Sequence, residues 1–277
     1  HQGRPTKIEG NPLHSMSLGA TKAFQQASIL NLYDPDRLQQ VYRDGSSSNL
    51  VSFFRALDKD RKHIFKNQGE TFCVVTNREP SPTFVRLLSK LKSKYPKMNV
   101  IQHDVGSADA VRKGIYSVTG KWLSPLYDFS KADVVLSLGS DFLGNETGNI
   151  VHTKQFSSRR DPSGDMNRLY CVESRYSITG AQADHRFRLK ESDIETFLYV
   201  LSDRLSKRGV RVGGESLYGS FSKVVEKRSG DFDQKFVDAL VYDLVSARGK
   251  SVLVAGVNQS EVVHGLVFLI KIGRAHV

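Results

Sequence analysis

Cysteine is scarce: the 277 residues contain two, Cys73 and Cys171, far apart in the chain. A cubane iron–sulfur cluster takes four cysteine ligands, so this chain alone cannot hold one. The spacing supports no disulfide either. Each cysteine sits inside an apolar run, Thr71–Val75 and Arg168–Val172, where a buried, inert thiol is expected. No apolar run is long enough to span a bilayer. There is no Gly-x-Gly-x-x-Gly or Walker loop to cradle phosphates and no Gly-x-Ser-x-Gly elbow for a serine nucleophile. The eight histidines form no spaced metal motif. Asp184-His185 is not a catalytic pair, because neighbours in an extended stretch point to opposite sides; His185 is assigned to a surface or interface. No catalytic residue and no metal site are expected in this chain.

What is present is ordinary globular composition, 39% hydrophobic and 25% charged, in a chain long enough for one or two domains. Lysine and arginine number 40 against 29 acids, a formal charge of +11. Such a balance permits nucleic-acid, anionic-membrane or acidic-partner contacts. The basic clusters (Arg61-Lys62, Lys90/Lys92/Lys94, Arg159-Arg160, Lys207-Arg208, Lys227-Arg228) are scattered and not interleaved with aromatics, so they are assigned to solvated faces, with no nucleic-acid partner.

From about residue 49 strand and helix signals alternate. Helices are expected over Leu50–Phe65, Ser81–Tyr95, Ser107–Ser117, Phe232–Arg248 and from Glu261 onward, with a helix-like segment over Gly19–Leu30. Strands are expected over Thr71–Thr76, Met98–Gln102, Lys131–Leu138, Arg168–Glu173 and Ser251–Ala255. Ser192-Asp-Ile-Glu195 reads as a capping box opening a further helix. Arg159–Asp165 and Lys207–Ser216 read as loops. Strands separated by helices imply parallel βαβ units, and continuous apolar strands imply burial on both faces. The fold class is α/β with parallel, doubly wound, Rossmann-like sheets.

In such sheets ligands sit beyond the carboxyl ends of the strands. Two exits stand out: Gly139-Ser140-Asp141, a tight turn with a hydroxyl and a carboxylate, and Glu173-Ser174-Arg175, an acid with a cation for phosphate. On spacing alone both also read as ordinary strand–helix turns.

The opening Gly3-Arg-Pro-Thr-Lys-Ile-Glu-Gly10-Asn-Pro-Leu-His14 reads locally as a hairpin around Asn11-Pro12. The string also resembles the N-terminal signature of the molybdopterin oxidoreductase superfamily, without the cysteine that follows it there. Further resemblance lies in Gln26–Arg37, Lys131–Gly144, Phe156–Arg160 and Thr179–Arg186, and covers nearly the whole chain. Together these stretches are similar to the molybdopterin-oxidoreductase-like iron–sulfur subunit of alternative complex III, a bacterial quinol-oxidising membrane complex.

The resemblance implies a sheet of the molybdopterin oxidoreductase type. It makes Gly139, Ser140, Asp141, Glu173, Ser174 and Arg175 the ancestral pterin-site loops. The family pattern there is similar to Gly-Ser-Asn and Asp-Pro-Arg, so Asp141 replaces an amide and Glu173-Ser174 replaces Asp-Pro. Counting back from Gly114 puts Ser107 near the molybdenum-ligand position; its simpler reading is a helix cap. The implied role is a structural and electron-transfer part of the complex, with cytochrome c and quinol-binding membrane subunits as partners. Export to the periplasmic face of the inner membrane is implied as well. No cofactor is expected in this chain, and iron–sulfur clusters are expected in a C-terminal part beyond it. The alternative is a fragment of an active enzyme binding molybdopterin guanine dinucleotide through the two exits.

The domain expectation is an N-terminal segment over 1–45, resembling the family's iron–sulfur region without its cysteines, and an α/β molybdopterin-oxidoreductase-like region of one or two lobes over 46–271. Ile272–Val277 is back-translated as ATC GGA AGA GCA CAC GTC, a sequencing-adapter string, and is set aside as an artefact. With His1 in place of an initiator Met, the chain is expected to be the middle of a longer protein.

Overall fold

The computed structural model describes residues 3–78, 81–104, 108–210, 212, 225–228 and 231–270. The chain forms two compact units. The first holds 1–6 and 27–106; the second holds 7–26 and 107–277. Ser107, half of the Lys207–Ser216 loop and Ile272–Val277 fall outside the described residues.

The opening segment contains a turn but no hairpin. Asn11 Oδ1 accepts from the Leu13 N–H at 2.9 Å, and the His14 N–H donates to the Asn11 carbonyl at 3.0 Å. Ile8 pairs with the Gln26 side chain through both its N–H and its carbonyl, so its backbone is satisfied without a partner strand. The Gly19–Leu30 segment resolves into helix α1 (Ala23–Ala27) and a 3-10 turn, Ser28–Leu32. A hairpin does occur further on: β1 (Val41–Arg43) pairs antiparallel with β2 (Ser46–Ser48). Asp44 and Gly45 join them, both at positive φ (49° and 78°), as a two-residue type I′ turn requires.

The rest of the first unit is α2 (Leu50–Lys66), β3 (Cys73–Thr76), α3 (Pro82–Lys94) and β4 (Asn99–Gln102). Asn49 caps α2 by accepting from the Ser52 N–H, and Ser81 caps α3 with Pro82 in the first turn. β3 and β4 pair in parallel, Val75 opposite Ile101. Neither helix has a buried residue. Cys73 is exposed, contrary to the buried thiol expected, because its face of the sheet has no cover.

Beyond 7–26, the second unit contains α4 (Asp109–Thr119), β5 (Val134–Leu138), α5 (Asn149–Ser157), β6 (Arg168–Glu173) and α6 (Ile178–Ala181). It continues with β7 (His185–Arg188), α7 (Ile194–Lys207), α8 (Gln234–Ser246), β8 (Ser251–Ala255) and α9 (Glu261–Leu269). Lys131 lies not in β5 but in a preceding 3-10 turn, closed where Asp128 accepts from the Ser130 N–H. The capping box does not form. A 3-10 turn, Glu191–Asp193, delivers the chain to α7 already helical, and Glu195 instead accepts from the Tyr199 hydroxyl at 2.7 Å.

The four strands are parallel in the order β7-β6-β5-β8. Both faces of this sheet are covered. Val134, Leu136, Leu138, Tyr170, Val172 and Leu253 pack against Ile194, Phe197, Leu201, Leu240, Leu244 and Val263 of α7, α8 and α9. On the other face Val135, Leu169, Val252 and Val254 pack against Phe129, Phe142 and Phe156. This is the doubly wound parallel α/β arrangement expected from the sequence. β6 and β8 form over the residues the sequence indicates.

Candidate functional site

The strand order reverses between β5 and β8. Successive strands step one way from β5 to β7, and the chain then returns to place β8 on the other side of β5. In sheets of this kind, helices leaving adjacent strands in opposite directions place the ligand crevice at this point, beyond the carboxyl ends. Its floor is Gly139 after β5 and Gly256 after β8. Gly139 (φ +62°) donates its N–H to the Val172 carbonyl at 2.7 Å, and Gly256 donates to the Leu138 carbonyl at 3.0 Å. A Cβ on Gly256 would collide with the Gly139 carbonyl oxygen, so glycine is required there.

The walls are acidic and bonded to one another. Ser140 Oγ donates to Glu146 at 2.8 Å, and the Asp141 N–H donates to the same carboxylate at 3.2 Å. Burial raises the Glu146 pKa above the ordinary carboxylate range, opposed in part by these two donors. The same buried neighbourhood raises Tyr127, by burial first and by the Glu146 charge second. Asp141 is itself buried; its Oδ1 accepts from both the N–H and the hydroxyl of Thr179 at 3.0 Å.

At the neighbouring exit Glu173 is buried and fully engaged. It accepts from Ser177 Oγ and Arg186 Nε, each at 2.6 Å. Ser174 Oγ donates to Glu191 at 2.9 Å, and Glu191 also accepts from the Gln259 side chain. Glu191 thereby bridges the exits of β6 and β8 above Gly139. The buried Cys171 thiol is pushed up to about 12, by burial first and then by the Glu173 charge, and is inert at neutral pH.

Of the six residues singled out in the sequence, Ser140, Asp141, Glu173 and Ser174 are each held by a side chain at the strand exits, and Gly139 by the Val172 carbonyl. The sixth, Arg175, is exposed and makes no hydrogen bond or ion pair with a described residue. Sequence reasoning missed Glu146, Glu191, Gly256 and Gln259. Gly256 follows an apolar strand as Gly139 does, and that parallel was legible. Glu146 and Glu191 carry no local signal. Among the described residues no group of three or more His, Cys, Asp or Glu is arranged to hold a metal ion.

Three of the stretches that carried the resemblance, Lys131–Gly144, Phe156–Arg160 and Thr179–Arg186, are tied together in space. Arg159 pairs with Asp133 at 2.7 Å. Arg160 clasps both Asp184 oxygens at 2.9 Å, and Asp184 also accepts from the Leu169 N–H. Asp184 is therefore a brace between α5 and β6, while His185 lies exposed against the Tyr170 ring. Thr179 holds Asp141, and Arg186 holds Glu173. These stretches pin the sheet's loops together.

No protein-family profile matches the chain. Over 197 residues, 65% of this chain, it is 26% identical to the arsenate respiratory reductase molybdopterin-containing subunit ArrA of Shewanella sp. strain ANA-3. The chain is a distant homologue of a molybdopterin-containing oxidoreductase subunit. Its fold is similar to that of acetylene hydratase from Pelobacter acetylenicus, with a TM-score of 0.59 and 12% identity over 95% of this chain. The first likeness supports a molybdopterin-oxidoreductase-like domain, and the second shows the fold alone. The chain spans 22% of the length of the first relative and 39% of the second.

Proposed function

We propose that this chain is the molybdoenzyme-shaped part of a structural and electron-transfer subunit in a membrane-associated quinol-oxidising complex, with its fold kept but no molybdenum bound. The observation that carries this reading is the chemistry of the switch-point crevice. A pterin dinucleotide brings two phosphates, which need N–H donors or cations. The crevice instead offers Asp141, Glu146, Glu173 and Glu191, already holding the nearby hydroxyls and amides. Apart from Arg175, the residues present do not suit that group. In this role the acidic rim closes the crevice and fixes the strand ends, and electron carriers reside elsewhere in the longer protein. The periplasmic setting and the cytochrome c and quinol-binding partners belong to the same proposal, with the resemblance to alternative complex III as their support.

A second reading keeps the chain as part of an active molybdopterin guanine dinucleotide enzyme. The homology to a molybdopterin-containing subunit and Arg175, unengaged among the described residues, favour it. Metal and pterin analysis of the purified full-length protein separates the two. The expected result is no molybdenum and no pterin; stoichiometric molybdenum would overturn the first reading.

A further inference from the structure

The first unit carries a surface that this role does not use. Along α2, Leu50, Phe53, Phe54 and Leu57 follow i, i+3, i+4, i+7 spacing and form one apolar stripe. These side chains and Phe65 are between 49% and 62% exposed, and the helix has no buried residue. Arg55, Lys59, Lys62 and Lys66 form a second stripe on another face. The helix also carries Asp58, paired with Arg61 at 3.1 Å, and Asp60. α2 and α3 together hold nine Lys and Arg against two Asp. At the end of α2, Arg61, Lys62, Phe65, Lys66, Lys94 and Tyr95 line an open concavity of about 360 Å³. Lys94 stands over the Tyr95 ring, 5.7 Å from its centre.

We propose that this face docks on an anionic phospholipid surface, with headgroup phosphates in the concavity and the apolar stripe against the acyl boundary. A polyanion without apolar surface would leave Phe53, Phe54 and Leu57 in water. An uncharged apolar partner would meet the cations unpaired. A bilayer bearing negative headgroups satisfies both, as it does for basic amphipathic helices in general. No described helix is long and apolar enough to cross a membrane, so this contact is peripheral. The inference stands on α2 and its concavity, and it holds whichever functional reading of the crevice is correct.

The test is flotation of the whole chain with vesicles of phosphatidylglycerol and phosphatidylcholine, against phosphatidylcholine alone, over a salt series. Expected are binding only to the anionic vesicles, weakening as salt rises, and no competition by inorganic phosphate. The exposed double variant Lys62→Glu/Lys66→Glu weakens binding by at least about tenfold. Phe53→Ser/Phe54→Ser abolishes the part that survives high salt, with circular dichroism unchanged in both variants. Equal binding to both vesicles, or to neither, overturns the proposal. So does full competition by inorganic phosphate, which would mark a free-anion site. Loss of vesicle binding alongside a concentration-dependent dimer that Phe53→Ser/Phe54→Ser abolishes would assign the face to a second copy.

Discussion

Two parallel sheets in this protein start from similar sequence signals and end in different environments. β5 and β8 are buried along their whole length, with helices on one face and an aromatic cluster on the other. In β3 and β4 the outward residues stay bare; Val75 is 69% exposed and Ile101 51%. Parallel strands are ordinarily covered on both faces, because their apolar residues point both ways. The comparison separates two things that strand propensity mixes. Forming a strand is local, while burying it depends on what the rest of the chain brings alongside.

The contrast can be broken most sharply by matched truncations. Leu136→Ala in β5 should cost about 2–5 kcal/mol, because the site is fully buried and surrounded. Val75→Ala in β3 should cost about 0.5 kcal/mol or less. Urea titration of both variants measures the gap, and equal costs would mean that the first sheet is covered in solution.

Next in size is the rim of the crevice. Asp141→Ala removes the acceptor for two Thr179 donors at a buried site, and should lower stability by about 1–3 kcal/mol. Under the proposed role, quinol oxidation by whatever complex still assembles should be nearly unchanged. A loss of rate comparable to removing a cluster ligand, with assembly intact, would restore a catalytic role to the crevice.

A pH effect of similar order belongs to the second unit. His264 in α9 is buried, its Nε2 has no partner among the described residues, and burial lowers its pKa from 6.5 to about 4. The unfolded chain therefore takes up the proton first. Stability falls as pH drops below 6.5, and the loss is nearly complete at 4, at about 3 kcal/mol. His264→Phe should flatten that part of the stability–pH curve, read by thermal melts. An unchanged slope would place the titration on other groups.

The smallest effect is expected at Arg175. It is exposed and unengaged among the described residues, so Arg175→Ala should leave the melting temperature as it was and, under the proposed role, quinol oxidation too. A measurable drop in turnover would favour the pterin-binding alternative.

Much of the fold was legible. The residues of β6 and β8 follow from their apolar runs, and α3 from its capping serine, Pro82 and the spacing of Phe84, Leu87, Leu88 and Leu91. The β1–β2 hairpin was legible too but was missed, since Asp44-Gly45 is the dipeptide a two-residue hairpin turn favours. The edge strand β7 was hidden, because its His185-Arg-Phe-Arg188 has a single strongly apolar residue and forms by pairing with β6. The capping box misled because its pattern is local, while the 3-10 turn before α7 had already supplied helical backbone.

The site divides in the same way. Gly139-Ser140-Asp141 and Glu173-Ser174-Arg175 could be named from the sequence, because a glycine or a polar residue ending an apolar strand marks an exit. What those residues do was settled by partners far along the chain: Thr179 for Asp141, Arg186 for Glu173, and Glu191 and Gln259 closing over Gly139. Periodicity, composition and turn chemistry act between near neighbours, and so the sequence by itself determined the strands, most of the helices and the α/β class. Strand order is a long-range choice. Only the tertiary structure placed β8 beside β5, opened the crevice there and lined it with carboxylates that no local pattern announces.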